Sequence, residues 1–392
     1  MNILLINKFY YPRGGDCTAT LSLETLLKSK GHNVAIFSSA HKENNDSEWS
    51  SYFPSEINFA SPNLKEKIKA VMRIFFSREV KRKFLALVKD FKPDIVHVHN
   101  IHSYLSPYVV QLAAQKNIKV VWTLHDYKLI CPSYSCLNKG KTCTLCYKDK
   151  KHVILNKCMK NSLLASVLAY AEAQVWNKNR LKRYTSYFVS PSFFLRNQMI
   201  NGGFNSENIK VLHNFMYKDL PQIFPSKADY YCYVGRISEE KGIEDLLRTA
   251  NKMPYKLKVI GGGEDLPKFK EQYNSPNIDY VGYLPTDKVW EIVQKARFTV
   301  VPSVCFENNP FSIIESLCLG TPVLGARIGG IPELIEKDVN GMTFRSGNEE
   351  DMKVKIEQMF KMEFDYQRIA EEARLKYSSE NYYSQLMELY KA

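Results

Sequence analysis

No run in this 392-residue chain approaches the length of about eighteen apolar residues that crosses a bilayer as a helix. The opening MNILLINKFYYP turns polar too soon for a secretory leader, so a cytoplasmic location is expected. Also missing is any compact module of interleaved aromatic and basic side chains, which argues against nucleic acid as a partner. Cysteine is sparse over most of the chain, and five of the nine fall between residues 131 and 158. What remains is ordinary globular material, 45% hydrophobic and long enough for two domains of about two hundred residues each.

Positive charge is not sparse, and it is unevenly spread. Residues 1–205 carry 30 Lys and Arg against 13 Asp and Glu, whereas residues 206–392 carry 24 against 28. The first half is suited to an acidic surface, and an anionic membrane or lipid phosphate is the expected partner. Within it, residues 64–92 hold ten Lys and Arg against three acids. Apolar residues recur there at helical spacing, at Leu64, Ile68, Val71 and Phe75, then Val80, Phe84, Leu87 and Phe91. Two readings stay open: core-facing helices with solvated basic faces, or an interfacial surface with Phe75-Phe76 exposed near a break at Ser77.

In chain order the pattern predicts strand, loop, helix, strand over the first forty or so residues, a Rossmann-like βαβ unit whose first loop faces ligand. That loop is PRGGD, where Gly14 and Gly15 permit a phosphate or sugar to approach the backbone, or simply make a turn. Two further strands end at His99 and at His125-Asp126, and His125 could donate to a sugar hydroxyl or phosphate with Asp126 orienting it. Hydrophobic patterning thins near residues 205–228, which sets a first domain at 1–205, a second at 206–375 and a C-terminal helix at 376–392 crossing back to the first. The second domain opens with YYCYVGRISEEKGIEDLLRTA, placing Arg236 and Lys241 beside a helix start, where two cations can neutralise a diphosphate. LKVIGGGED then offers another close-approach loop at Gly262.

The insertion 131–158 contains a C-x-x-C pair, Cys143 and Cys146, with Cys131 and Cys136 upstream. In a reducing compartment these four suggest a structural zinc site. A free-thiol loop or redox pairing fits as well, and Cys158 or His152 could replace one ligand.

The most informative stretch is PSVCFENNPFSIIESLCLGTPVLGARIGGIPE, residues 302–333. Glu307 and Glu315 are separated by seven residues, and a helix beginning near Pro310, placed at its first position, would set backbone N–H groups between them. Such amides attract phosphate, and ionised carboxylates accept hydrogen bonds from sugar or ribose hydroxyls. Singly, either Glu reads as a cap or a solvated side chain.

Together the stretch resembles the E-x7-E signature of glycosyltransferase family four, retaining enzymes of the GT-B architecture: two Rossmann-like α/β/α domains facing across a cleft. The resemblance covers nearly the whole chain. It implies that Glu315 binds the donor ribose, that Glu307 contacts the donor sugar together with His125, favoured over His99, and that Gly14-Gly15, Arg236 and Lys241 meet the diphosphate. It further implies that Tyr283-Leu284 seat the base and that His213-Asn214 form the linker motif. Asn309 and Pro310 stand where Phe and Gly are usual, and because Pro310 has no amide hydrogen, Phe311 and Ser312 become the expected donors.

The function implied is metal-independent hexosyl transfer, with retention, from a nucleoside-diphosphate sugar to a lipid-linked acceptor or cell-surface polysaccharide such as capsule or lipopolysaccharide, at the inner face of the membrane. No Asp-x-Asp motif is present, and no cofactor is expected in catalysis. Rival readings are a noncatalytic nucleotide-sugar or nucleic-acid-binding protein, or a transferase acting on a soluble sugar acceptor.

Overall fold

A computed structural model of the chain describes residues 1–59, 61–224 and 226–392. Two compact units are present: Met1–Asn138, Cys143–His213 and Tyr383–Ala392 form the first, Lys139–Thr142 and Asn214–Tyr382 the second. Each is built on a six-stranded parallel sheet.

In the first unit β1 (Asn2–Ile6) is apolar without alternation, and Ile3, Leu4, Leu5 and Ile6 are all fully buried. A strand covered by helices on both faces requires this composition. β1 pairs in parallel with β2 (Asn33–Phe37) and β3 (Ile95–Val98), and β3 with β4 (Lys119–Thr123). The cysteine-rich insertion contributes the two-residue strands β5 (Leu137–Asn138) and β6 (Lys141–Thr142). β7 (Tyr187–Ser190) and β8 (Ile209–Val211) finish the sheet in the order β2-β1-β3-β4-β7-β8. The first unit therefore runs on to His213 rather than ending at 205, because the pairing of β8 with β7 belongs to it. Its last segment begins at Tyr383, where Tyr383 Oη lies 2.8 Å from His32 Nε2 and Tyr390 Oη 2.5 Å from His97 Nδ1.

The second unit repeats the plan with β9 (Tyr230–Val234), β10 (Lys256–Ile260), β11 (Ile278–Gly282), β12 (Thr299–Val301), β13 (Val323–Ala326) and β14 (Gly341–Phe344), ordered β11-β10-β9-β12-β13-β14. Its core packs Tyr231, Val259, Phe298, Ile313, Leu317 and Phe344, all nearly inaccessible. In each sheet the chain winds outward from one strand and then returns to that strand's other side. Such reversals, between β1 and β3 and between β9 and β12, open a crevice beyond the strands' carboxyl ends.

In the helix Leu64–Phe75, capped by Asn63 whose side chain accepts from Lys65 N, the residues read at helical spacing divide: Leu64 and Ile68 are exposed, as is Met72, while Val71 and Phe75 are half-buried. Ala70, Arg73 and Ile74 face inward instead. Arg73 is fully buried, its Nη atoms donating to Glu79 Oε2 at 2.8 Å, Ser55 O at 3.2 Å and Tyr104 O at 3.3 Å, while its Nε is left without a partner among the described residues. Phe76, half of the pair expected at the surface, is exposed there although its ring also packs on Tyr108 and Trp176, and Phe75 is half-buried.

Candidate active site

The reversal in the second sheet gathers most of the expected residues. The loop after β9 carries Arg236 and Lys241, and the loop after β12 carries Ser303 and Glu307. Gly242 joins them closely: it has φ +65°, and a Cβ there would stand 2.0 Å from Pro302 O. Lys241 Nζ lies 2.6 Å from Glu307 Oε1, which also accepts from Ser303 Oγ at 2.7 Å. Burial works against the Lys241 ammonium, but Glu307 more than offsets it and holds Lys241 above its ordinary value. Arg236 is more exposed and pairs with Glu240 at 2.5 Å. Both cations expected on a diphosphate thus have carboxylate partners. Gly329, with φ +60°, lets the chain pass behind Glu307, since a Cβ would meet Glu307 O at 2.3 Å, and Gly330 N donates to that oxygen.

Pro310 is not the first helical residue. It is the N-cap, extended at φ −66° and ψ 124°, and the helix spans Phe311–Cys318. Phe311 and Ser312 consequently open the helix, with amides that have no acceptor within it. Asn309 serves as a double acceptor, its side-chain oxygen receiving Asn214 N and its backbone oxygen Asn214 Nδ2, each at 2.8 Å. Asn214, expected in the linker motif, is therefore anchored to the signature loop. Glu315 sits in the second turn, where burial pushes its carboxyl up to about 7 against a partly offsetting Lys218.

Three glycines after β10 divide their roles. A Cβ on Gly261 would meet Gly235 O at 1.9 Å, and one on Gly263 would meet Ile237 O at 2.0 Å, so both are fixed by backbone packing. A Cβ on Gly262 would meet nothing within 4 Å. Of the three, Gly262 alone faces open space. At the exit of β11, Tyr283 is 87% exposed and Leu284 half-buried.

The first sheet's reversal holds a second group. Gly14 caps the helix Gly15–Ser29 in an extended conformation, and Asp16 lies in its first turn. Asn100 Nδ2 donates to Asp16 Oδ2 at 3.0 Å. His125 joins this group from the end of β4. Burial pushes its imidazole below the ordinary value, with Asp16 the leading carboxylate opposing that shift. Asp126, expected to orient His125, accepts from Lys128 N at 2.8 Å in a local turn, and its charge also opposes the shift of His125. His99 Nδ1 stands 2.9 Å from His125 Nε2. His99 and His125 are thus a coupled pair rather than alternatives. Asp16 escaped sequence analysis, because its relation to His125 spans over a hundred residues; its place in the first turn after Gly14-Gly15 was the only available sign.

In the insertion Cys131, Cys136 and Cys146 are buried, and Cys143 is half-exposed. Hydrogen bonds from Cys136 and Cys146 hold the Cys131 thiol well below the ordinary range, while Cys136 and Cys146 are correspondingly raised. Among the described residues, no group of three or more His, Cys, Asp or Glu is arranged to hold a metal ion. Cys131 Sγ lies 3.2 Å from Ser133 Oγ, and Cys136 Sγ 3.5 Å from Tyr147 Oη.

Comparison with known proteins agrees with this architecture. Residues 14–217 match the model of Glycosyltransferase Family 4, and residues 218–376 that of Glycosyl transferases group 1. A 42.6 kDa protein in the cps region of Klebsiella pneumoniae is 27% identical over 354 residues, covering 85% of this chain and 87% of that protein. Among solved structures, the lipopolysaccharide outer core galactosyltransferase WaaB superposes with a TM-score of 0.66 at 16% identity, covering 99% of both chains. Anabaena HepE in complex with UDP gives 0.65 at 16% identity, also covering 99% of both. With two parallel α/β units and a family match over more than half its length, the chain belongs to glycosyltransferase family 4 and has the GT-B fold.

Proposed function

We propose that this glycosyltransferase moves a hexose, with retention, from a nucleoside-diphosphate sugar to a lipid-linked or cell-surface polysaccharide acceptor at the inner face of the cell membrane. The observation that carries the donor assignment is the convergence of Lys241, Glu307 and Ser303 at the sheet reversal of the second unit, on loops leading to the helix amides of Phe311 and Ser312. A cation, a carboxylate and helix-terminal amides suit a glycosyl phosphate: amides and cation meet the phosphate, and the carboxylate meets sugar hydroxyls. HepE, bound to UDP, supports a nucleoside-diphosphate donor. The cps-region relative and WaaB support a surface-polysaccharide acceptor.

Departure of the diphosphate develops negative charge, and Arg236, Lys241 and the Phe311 and Ser312 amides are assigned to it. Fixed donors of this kind often supply the largest share of catalysis. Two cations take the place of a divalent ion, so the reaction runs without metal. His125, kept neutral by burial, donates to the sugar, and His99 fixes which of its nitrogens carries the proton. Gly14 and Gly15 give the diphosphate close backbone approach, Gly262 lies open beside the donor, and Tyr283-Leu284 receive the base. No side chain is assigned as general base; the departing phosphate takes the acceptor proton. The basic first half holds the enzyme on anionic lipid. Transfer of labelled sugar from UDP-, GDP- and ADP-sugars to membrane lipid extract, with excess chelator and with the product's anomeric configuration determined, tests this reading. Inversion, or a requirement for divalent metal, would refute it.

A further inference from the structure

Helix Leu64–Phe75 is inside out. Its one arginine, Arg73, is fully buried on Glu79, while Leu64, Ile68 and Met72 are 70%, 56% and 52% exposed. A fold served only by its own core would gain by the reverse arrangement, because burying a guanidinium costs desolvation and exposing large apolar side chains forfeits hydrophobic burial. The exposed residues recur every four positions and so form one ridge, about 12 Å long at 1.5 Å per residue. At about 100° per residue, Lys65 and Lys69 fall on one flank of the ridge and Lys67 on the other. Glu66 is the helix's single acid.

A neighbouring helix carries exposed apolar residues of its own. The helix Leu163–Val175 packs against this one, and Trp176, at its end, donates to Ile74 O. Its opening residues Leu163, Leu164 and Val167 are also exposed, as are Lys157 and Lys160 just before it. No helix among the described residues is long and apolar enough to cross a membrane.

We propose that the Leu64–Ile68–Met72 ridge inserts into the interfacial layer of an anionic phospholipid bilayer, with Leu163, Leu164 and Val167 beside it. This deepens the proposed function and rests on its placing the enzyme at a membrane. Apolar side chains enter the headgroup and acyl boundary while the flanking lysine stems lie along it and their ammonium groups meet lipid phosphate. Charge selects the occupant. A second copy of this chain laid ridge to ridge would oppose lysines to lysines, whereas an anionic bilayer complements both flanks.

The test uses the full-length protein and sedimentation with phosphatidylcholine vesicles, with and without phosphatidylglycerol. Wild type is expected to bind the anionic vesicles. The combined variant Leu64→Ser, Ile68→Ser, Met72→Ser should bind about tenfold or more weakly. Leu375→Ser, which alters an equally exposed leucine of the second unit, should bind as wild type does. Ile68→Trp should add emission that shifts to the blue with anionic vesicles. Equal binding by the triple variant would overturn the proposal, leaving adsorption by charge alone. So would wild type that ignores vesicles, or that self-associates through the ridge without binding them. Transfer to a lipid-linked acceptor in detergent is measured in parallel. If it persists while vesicle binding fails, the ridge assignment falls and the acceptor reading stands; if vesicles bind and only soluble sugars are glycosylated, the reverse holds.

Discussion

Lys241 Nζ and Glu307 Oε1 are 2.6 Å apart, an ion pair between the cation assigned to the donor diphosphate and the carboxylate assigned to the donor sugar. The two loops that carry them meet closely at Gly242, whose left-handed backbone lies against Pro302, and Val304 N donates to Glu240 O beside it. The pair holds both side chains in one crevice. Lys241→Ala should lower kcat/KM by about a hundredfold or more while leaving urea unfolding nearly unchanged. Comparable losses of stability and activity would mean that the pair serves the fold instead.

Glu315 gives a pH signature. Its carboxyl, raised from 4.5 to about 7, keeps its proton in the folded state after the unfolded chain has released it. The stability contributed is full below about 4.5 and lost as pH rises through about 7. Ribose hydroxyls donate to the ionised form, so donor affinity should rise from about pH 6 to about pH 8. Calorimetric titration at several pH values should show that rise in wild type and a flatter profile in Glu315→Gln. A profile unchanged by the substitution would remove Glu315 from the donor site.

The glycine loop separates fold from function. Gly261→Ala and Gly263→Ala force a Cβ against backbone oxygens and should lower the melting temperature by several degrees, about 1–3 kcal/mol each. Gly262→Ala meets nothing and should melt as wild type does. Any loss of donor affinity in that variant then reports ligand approach directly.

Much of this was legible in the sequence. The apolar runs of β1 and β9 announced strands, and the family resemblance set Lys241 and Glu307 in one site, where the fold pairs them. What escaped were relations between distant residues. Asn309 departs from the usual signature, and only the fold shows that it ties down Asn214 through two hydrogen bonds. Periodicity showed that helix Leu64–Phe75 is amphipathic but could not say which face turns inward, because that depends on Glu79, Ser55 and Tyr104 receiving Arg73.

Asn309→Ala should cost about 1–3 kcal/mol of stability in urea titration, by removing the side-chain acceptor of the Asn214 backbone amide. A neutral result would mean that the Asn214 contact contributes nothing to the fold.

Zinc on the insertion stays a proposal, with Cys131, Cys136, Cys143 and Cys146 as ligands and Cys158 or His152 able to replace one of them. Elemental analysis of untagged protein prepared under reducing conditions should then find close to one equivalent; less than about half an equivalent would leave a thiol cluster.

The central claim, that the second unit's crevice holds a nucleoside-diphosphate sugar, is tested most directly by thermal shift with UDP-, GDP- and ADP-sugars on wild type and Glu315→Ala. One of these donors should raise the wild-type melting temperature at millimolar concentration, about 2.7 kcal/mol at a hundredfold over its dissociation constant, and the gain should shrink sharply in a folded Glu315→Ala protein. No shift with any donor, or an equal shift in the variant, would contradict the claim.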